Sequence, residues 1–311
     1  MVLRPDITTP IARIAATKMP ESAFPAKLFY TQKSYRAGMP GSGHSTEVMQ
    51  GGIELLGCGG LNSDIELVVM AVDALRECTD KKIHIEIGNA GFFKHLASEL
   101  GIEGSEFEQM RSMVENKNFA GLNDMLDAYE DTHAKLALCK LSRLFGGVEV
   151  LDIAQEYASD SKAKEDIEYL RSLYTALCQA GVGDCVSIDL GLVHQIDYYT
   201  GVIIRGYVDG VGRPVLSGGR YDKLTGMFGR DMPAVGFAID IDAVASLVNE
   251  KSDDAKTVLY AMPGAIRNAF DYMDKNPGCL LSSEETLDKA IEKFSVVTVI
   301  YPDGKTEICK K

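Results

Sequence analysis

The chain has 311 residues, 46% of them apolar and 25% charged, enough to bury a substantial core in one large or two smaller domains. A disordered chain and a disulfide-stapled mini-protein are thereby excluded, and no apolar run approaches the ~18 residues of a spanning helix. Lysine and arginine total 32 against 45 aspartates and glutamates, a formal charge of −13 that argues against a phosphate-driven nucleic-acid binder. The first residues, MVLRPDITTP, lack a basic region followed by an apolar stretch, so no secretory signal is expected. Cysteines fall at 58, 78, 139, 178, 185, 279 and 309, with no C-x-x-C spacing and no clustering with the five histidines. Neither a metal site nor a disulfide framework is expected, and the reduced cytoplasm is the expected compartment.

In chain order, Val2 to Pro5 reads as a strand end, and Thr8-Thr9-Pro10 opens a helix to about Met19. Such a start suggests that a piece is missing upstream. Lys27–Tyr35 and Glu47–Leu56 form a strand–loop–strand hairpin around a loop with three glycines and a proline. Ser63-Asp64-Ile65-Glu66 reads as a capping box opening a helix to about Cys78, and Ile83–Ile87 is a strand. Residues of about 89–182 turn helical; Ile167, Leu170, Leu173, Tyr174 and Leu177 recur at helical spacing. Strand pattern returns at 185–190, 196–208, 214–216 and 234–240. The polar run Lys251–Asp254 reads as a linker, so a core of residues 1–250 is followed by a small α/β module, 251–311, of net charge −1.

Three stretches are denser in reactive groups than a plain core requires. Asp6 and Thr8 stand at a helix start, where capping alone would explain them. Gln50, Gly52 and Glu54 share one face of a strand, which suits a small cationic or hydrogen-bonding ligand or, equally, a solvated sheet face. Asp197-Tyr198-Tyr199-Thr200 and Gly218-Gly219-Arg220-Tyr221-Asp222 combine aromatic side chains with a double glycine that permits close approach. No Ser-His-Asp set, G-x-G-x-x-G or P-loop is legible. Composition and spacing by themselves imply an α/β protein with a small-ligand pocket.

Taken together, these stretches resemble the class II histidyl-tRNA synthetase core. Arg4–Thr8 resembles its R-P-E-x-T segment. Residues 27–57 resemble its motif 2, with an arginine at Arg36 and a closing Q-x-G-x-E at Gln50, Gly52 and Glu54. Leu192–Thr200 resembles the histidine-specific strand, and Gly218–Asp222 with Pro233–Asp242 resemble the G-G-R-Y-D segment and motif 3. The resemblance runs over residues 1–250. It implies an antiparallel sheet flanked by helices, a helical insertion at 89–182, and a histidine pocket. In that pocket Asp6, Gln50 and Glu54 hold the amino group and imidazole, Arg36 the carboxylate, Thr8 a hydroxyl contact, and Tyr199 and Tyr221 the imidazole wall. Asp6 is one methylene shorter than the glutamate it replaces.

The departures cluster on the ATP side. His194, followed by Gln195, stands where the family has its histidine-specific arginine, and Ala243, preceded by Asp240 and Asp242, where motif 3 ends in arginine. Gly38 and Val48 replace a glutamate and an adenine-stacking phenylalanine, and His44 replaces the loop arginine. Losing two guanidiniums from a phosphoryl-transfer site should cost at least ~10³-fold in rate. This combination is similar to the synthetase paralogues that serve as ATP phosphoribosyltransferase regulatory subunits. The resemblance implies a non-catalytic, cofactor-free subunit that activates a short-form catalytic chain and mediates feedback by L-histidine. Two rivals are an enzyme that activates or transfers an amino acid, and a tRNA-binding relic; the lost arginines count against the first and the net charge against the second. Motif 1 would precede Arg4, so an exposed apolar patch is expected at its contact, and homodimerisation is in doubt.

Overall fold

The computed structural model describes residues 3–35, 45–193, 198–247, 257–294 and 296–310. The chain divides into two compact units, 1–247 and 248–311. The first unit opens with helix α1 (Thr8–Lys18) and the hairpin β1 (Ala26–Tyr35) and β2 (Glu47–Leu56), followed by α2 (Leu61–Cys78) and β3 (Ile83–Asn89). Six helices come next: α3 (Ala90–Glu99), α4 (Gly104–Glu115), α5 (Phe119–Leu126), α6 (His133–Lys140), α7 (Glu149–Tyr157) and α8 (Ser161–Gln179). The short β4 (Phe145–Gly146) interrupts them. The unit is completed by β5 (Val186–Asp189), β6 (Val202–Val208), β7 (Leu216–Arg220), β8 (Ala234–Asp240) and α9 (Ile241–Ala245).

Eight strands form one sheet in the order β1-β2-β8-β7-β6-β3-β5-β4. All neighbours are antiparallel except β3 and β5, which run parallel. The sheet is therefore mixed rather than purely antiparallel. The reason is the helical segment α3–α8, which leaves β3 and returns to β5 as a crossover, and a crossover delivers the second strand in the same direction.

One face of the sheet is dry. Leu67, Val68, Ala71, Val72 and Leu75 form a single stripe on α2 and are fully buried against Leu55, Ile85, Val235 and Phe237. Each of the buried leucines, valines, isoleucine and phenylalanine contributes roughly 1.5–3 kcal/mol of transfer free energy. The same core continues through Leu96, Leu122, Leu138, Leu151 and Leu170 of the helical segment. The other face carries Tyr30, Gln50, Gly52, Glu54, Gly236, Ala238 and Ser217, because cross-strand partners share a face. A second cluster, built from Ala12 and Ala15 of α1 with Leu56, Leu192, Tyr199, Ile203, Tyr221 and Ala234, closes over part of that face.

Three further sequence expectations change, the first being the strand expected over 214–216, which runs instead from Leu216 to Arg220 as β7. Helix α2 starts two residues before Ser63, with Gly60 as its N-cap, and no capping box forms; Ser63 Oγ instead donates to Gly60 O at 2.8 Å. The strand expected over 196–208 is shorter, since β6 begins at Val202 and Tyr198 to Gly201 are not in strand; residues 196–197 lie outside the described residues. Phe29 is 87% exposed on β1, the edge strand.

The second unit holds a four-stranded sheet in the order β10-β9-β11-β12: β9 (Val258–Ala261), β10 (Leu280–Leu281), β11 (Val296–Ile300) and β12 (Thr306–Lys310). Helices α10 (Ile266–Lys275) and α11 (Leu287–Lys293) connect its parallel strands. Its own small core is Leu259, Ala265, Ala269 and Ile300. Among the described residues, no helix is long and apolar enough to cross a membrane.

Candidate functional site

On the polar face of the eight-stranded sheet lies a cleft enclosing about 420 Å³, its open mouth included. Asp6, Thr8, Gln50, Tyr199 and Tyr221 line it, together with Tyr30, Tyr198, Ser217 and the backbone of Gly218, Gly236 and Phe237. Glu54 is 1% exposed and lies beneath this lining. Arg36, Gly38, His44 and His194 lie outside the described residues.

Glu54 organises the floor. Its Oε1 accepts a hydrogen bond from the Thr8 hydroxyl at 2.7 Å, and its Oε2 accepts one from the Tyr221 hydroxyl at 2.5 Å. Thus α1, β2 and the end of β7 meet on one carboxyl group. The cradle depends on two glycines. A Cβ on Gly236 would sit 1.9 Å from Glu54 Oε2 and 2.6 Å from the Ile53 carbonyl, so only glycine leaves room for the carboxyl. A Cβ on Gly52 would fall 2.3 Å from Tyr30 Cζ; its absence lets the Tyr30 ring fold across the β1–β2 pair into the cleft.

Burial pushes the Glu54 carboxyl up to about 7; hydrogen bonds from Tyr221 and Thr8 oppose the rise, and the nearby Asp6 carboxylate adds to it. Burial also raises the phenols of Tyr30, Tyr199 and Tyr221, which stay protonated and able to donate at neutral pH. Asp6 does two jobs. Its Oδ1 accepts from the Thr8 amide at 2.7 Å and its Oδ2 from the Thr9 amide at 3.2 Å, so it caps α1 while facing the cleft. Tyr198 packs edge-on to Tyr199 and Tyr221, with ring centroids 5.1 and 5.7 Å away. The arrangement offers acceptor oxygens over an aromatic wall, chemistry suited to a small ligand that presents N–H groups or a positive charge.

At the other end of β2 and β8 the same face is differently furnished. Asp240 Oδ1 accepts from the Ala243 amide at 2.9 Å and caps α9, while its Oδ2 pairs with Arg213 Nη1 at 2.6 Å. Asp242 Oδ2 accepts the Met49 amide at 2.8 Å, one residue beyond the last β2–β8 pair, Gln50 with Asp240. Ala243 is buried in α9, and Val48 is a half-buried residue of β2. Here two carboxylates are engaged by backbone amides and by Arg213.

Tyr30 and Ser217 were not among the residues singled out from the sequence. A signal existed for Tyr30: the hairpin register sets it directly across from Gly52, an aromatic residue over a glycine. Ser217 becomes visible only once β7 is paired with β8 opposite Ala238. Among the described residues, no group of three histidine, cysteine, aspartate or glutamate side chains is placed to hold a metal ion.

Sheet, insertion and cleft define a class II synthetase-like protein: residues 1–244 match the family model for histidyl-tRNA synthetase. The chain is 42% identical over 254 residues to the ATP phosphoribosyltransferase regulatory subunit of Clostridium acetobutylicum, covering 80% of this chain and 62% of that one. It is 38% identical to the subunit of the same name from Clostridium kluyveri, over 84% of this chain and 69% of that one. A solved structure titled as an ATP phosphoribosyltransferase regulatory subunit/histidyl-tRNA synthetase from Bacillus halodurans superposes with a TM-score of 0.83 at 28% identity, covering 96% of this chain and 79% of the other. The chain belongs to the histidyl-tRNA synthetase family and, within it, to the ATP phosphoribosyltransferase regulatory subunits. It spans 62–69% of the length of these two curated relatives.

Proposed function

We propose that this chain is a non-catalytic regulatory subunit of ATP phosphoribosyltransferase, the first enzyme of histidine biosynthesis, and that its cleft takes L-histidine. In this reading it partners a short-form catalytic chain in the cytoplasm, activates it, and conveys feedback. The observation that carries the reading is the contrast along one sheet face. The acceptor set around Glu54 is intact, whereas the nucleotide end carries Asp240, Asp242 and Ala243. Histidine supplies an ammonium and an imidazole for Glu54, Gln50 and Asp6, and a flat ring for the tyrosine wall. Triphosphate would meet like charge at Asp240 and Asp242. The names of the relatives support the catalytic partner. Feedback requires that histidine bind one state of the assembly more tightly than another.

Isothermal calorimetry of the purified chain with L-histidine, and separately with ATP, tests the proposal. Histidine binding without ATP binding is the expected result. Binding of both, with histidine-dependent ATP–pyrophosphate exchange, would establish an enzyme instead. Absence of histidine binding both alone and with the catalytic chain would overturn the sensor assignment.

A further inference from the structure

Behind the tyrosine wall, on the dry face of the sheet, lies a buried polar knot that the cleft does not itself contain. Tyr221 points into the cleft; its neighbour Arg220, at the end of β7, points the opposite way, as alternation along an extended chain requires. Arg220 is 7% exposed and Asp64, near the start of α2, is fully buried. Arg220 Nη2 donates to Asp64 Oδ1 at 2.5 Å and to Ser63 Oγ at 2.7 Å, and its Nε donates to Asp64 Oδ1 at 3.1 Å. The remaining donors reach the carbonyls of Cys58 and Gly60 and the Asp222 carboxylate. A buried guanidinium is tolerated only when saturated in this way. Asp64 has one further partner. The Tyr169 hydroxyl of α8 donates to its Oδ2 at 2.5 Å.

Two of the four cleft tyrosines, Tyr199 and Tyr221, hang on Arg220. Tyr221 follows it in the chain, and its amide donates to Ala234 O at 2.8 Å. Tyr199 precedes Thr200, whose amide donates to the Arg220 carbonyl at 2.7 Å and whose hydroxyl accepts from the Asp222 amide at 3.1 Å. The Asp222 carboxylate in turn accepts from the Ala234 amide at 3.0 Å. Gly201 packs on the Arg220 stem, where a Cβ would fall 3.2 Å from its Cδ. Movement of the guanidinium would therefore displace the two aromatic side chains that flank Glu54.

We infer that Arg220 is the positioning residue of the tyrosine wall, and that Tyr169, through Asp64, makes the helical segment a determinant of ligand affinity in the cleft. The inference rests on the reading of the cleft as a histidine site for its affinity readout, but not for its structural one. Tyr169 touches no cleft residue in this network, so an effect of its hydroxyl on the cleft has to pass through Asp64 and Arg220.

The test is Tyr169→Phe, which removes one hydroxyl and keeps the ring, with Asp64→Asn as a second variant that keeps the side-chain shape. Each full-length protein is labelled with ¹³C-tyrosine. The ring resonances of Tyr199 and Tyr221, assigned by Tyr199→Phe and Tyr221→Phe, are compared in the empty state, and the histidine Kd is measured across pH. The inference expects shifted Tyr199 and Tyr221 resonances in Tyr169→Phe. It also expects a histidine Kd raised ~3- to 10-fold, within the range of couplings carried by packed networks, and a displaced pH midpoint of binding. Should Tyr169→Phe fold but leave both resonances and Kd at the parental values, the inference is overturned. Parental protein that fails to bind histidine while the resonances still shift would sink the ligand reading and leave the positioning role standing. Asp64→Asn decides the case if Tyr169→Phe does not fold: unchanged resonances there overturn the inference, shifted ones support it.

Discussion

The two ends of one sheet face have been treated differently. At the Glu54 end, three elements converge on a buried carboxyl group whose hydrogen bonds come from neutral hydroxyls, and no ammonium or guanidinium bonds to that group among the described residues. At the Asp240 end, two carboxylates are spent on the protein's own backbone and on Arg213. The first end holds a carboxyl group that burial raises and that only neutral hydroxyls contact. The second has met its demands internally. The same β2–β8 register carries both ends, so the two can differ in chemistry without any change in the sheet.

Removing the acceptors should break this contrast most severely. Glu54→Ala together with Gln50→Ala deletes two of the groups proposed to hold the ligand, one of them a carboxylate able to accept a charge-assisted bond. We expect ~10³-fold weaker histidine binding, about 4 kcal/mol, and loss of histidine inhibition in the complex reconstituted with the catalytic chain. Inhibition unaffected by the pair of substitutions would mean that feedback acts through another site.

The raised carboxyl can be examined without any ligand. Glu54 ionises near 4.5 in the unfolded chain and about 7 in the folded one. Between those values the unfolded state has already released the proton that the folded state still holds. Stability therefore falls as pH rises through the window, and it is fully reduced above the folded value. At 1.4 kcal/mol per unit, the loss is on the order of 3 kcal/mol. Glu54→Gln removes the slope. Its denaturant midpoint should exceed that of the parent at pH 8, with the advantage shrinking towards pH 4.5. An advantage independent of pH would show that Glu54 does not titrate as burial demands.

Much of this was legible beforehand, and the failures have physical causes. The hairpin, α2 and the helical segment follow from periodicity and turn chemistry, whereas the gathering of the site residues was implied only by the resemblance, and the strand order was not read at all. Asp6, Thr8, Gln50, Tyr199 and Tyr221 do line one cleft. Ser63 misled because its spacing to Glu66 satisfies the capping pattern, while Arg220, 157 residues further on, claims its side chain along with that of Asp64. Local rules cannot see so distant a competitor. The irregular segment at 198–200 reads as strand because its tyrosines are β-formers, yet Tyr198 packs edge-on against both Tyr199 and Tyr221 instead of extending a ladder. Tyr30 escaped notice because a single strand does not reveal which residue faces a glycine across the ladder.

The Asp240 end predicts smaller effects. Asp240→Ala removes the α9 cap and the partner of Arg213, and should lower stability by about 1–2 kcal/mol, read as a shift in denaturant midpoint at constant slope. No loss at all would mean that these carboxylates are not structural, and their repulsion of a triphosphate would then be the better account of their presence.

The smallest effect should come from Asp242→Ala, and it separates the two ends most cleanly. Asp242 is exposed and makes one hydrogen bond to the Met49 amide, so its loss should cost about 0.5–1 kcal/mol. Met49 adjoins Gln50, which lines the cleft, so a distortion of β2 at this point would reach the histidine end. Ten consecutive β1–β2 pairs, from Ala26 with Leu56 to Tyr35 with Glu47, hold β2 in register independently of Asp242. Histidine affinity should therefore stay within about twofold of the parent while stability drops. A larger fall in affinity than in stability would show that the carboxylate braces Gln50, and that the two ends of the sheet face are not independent.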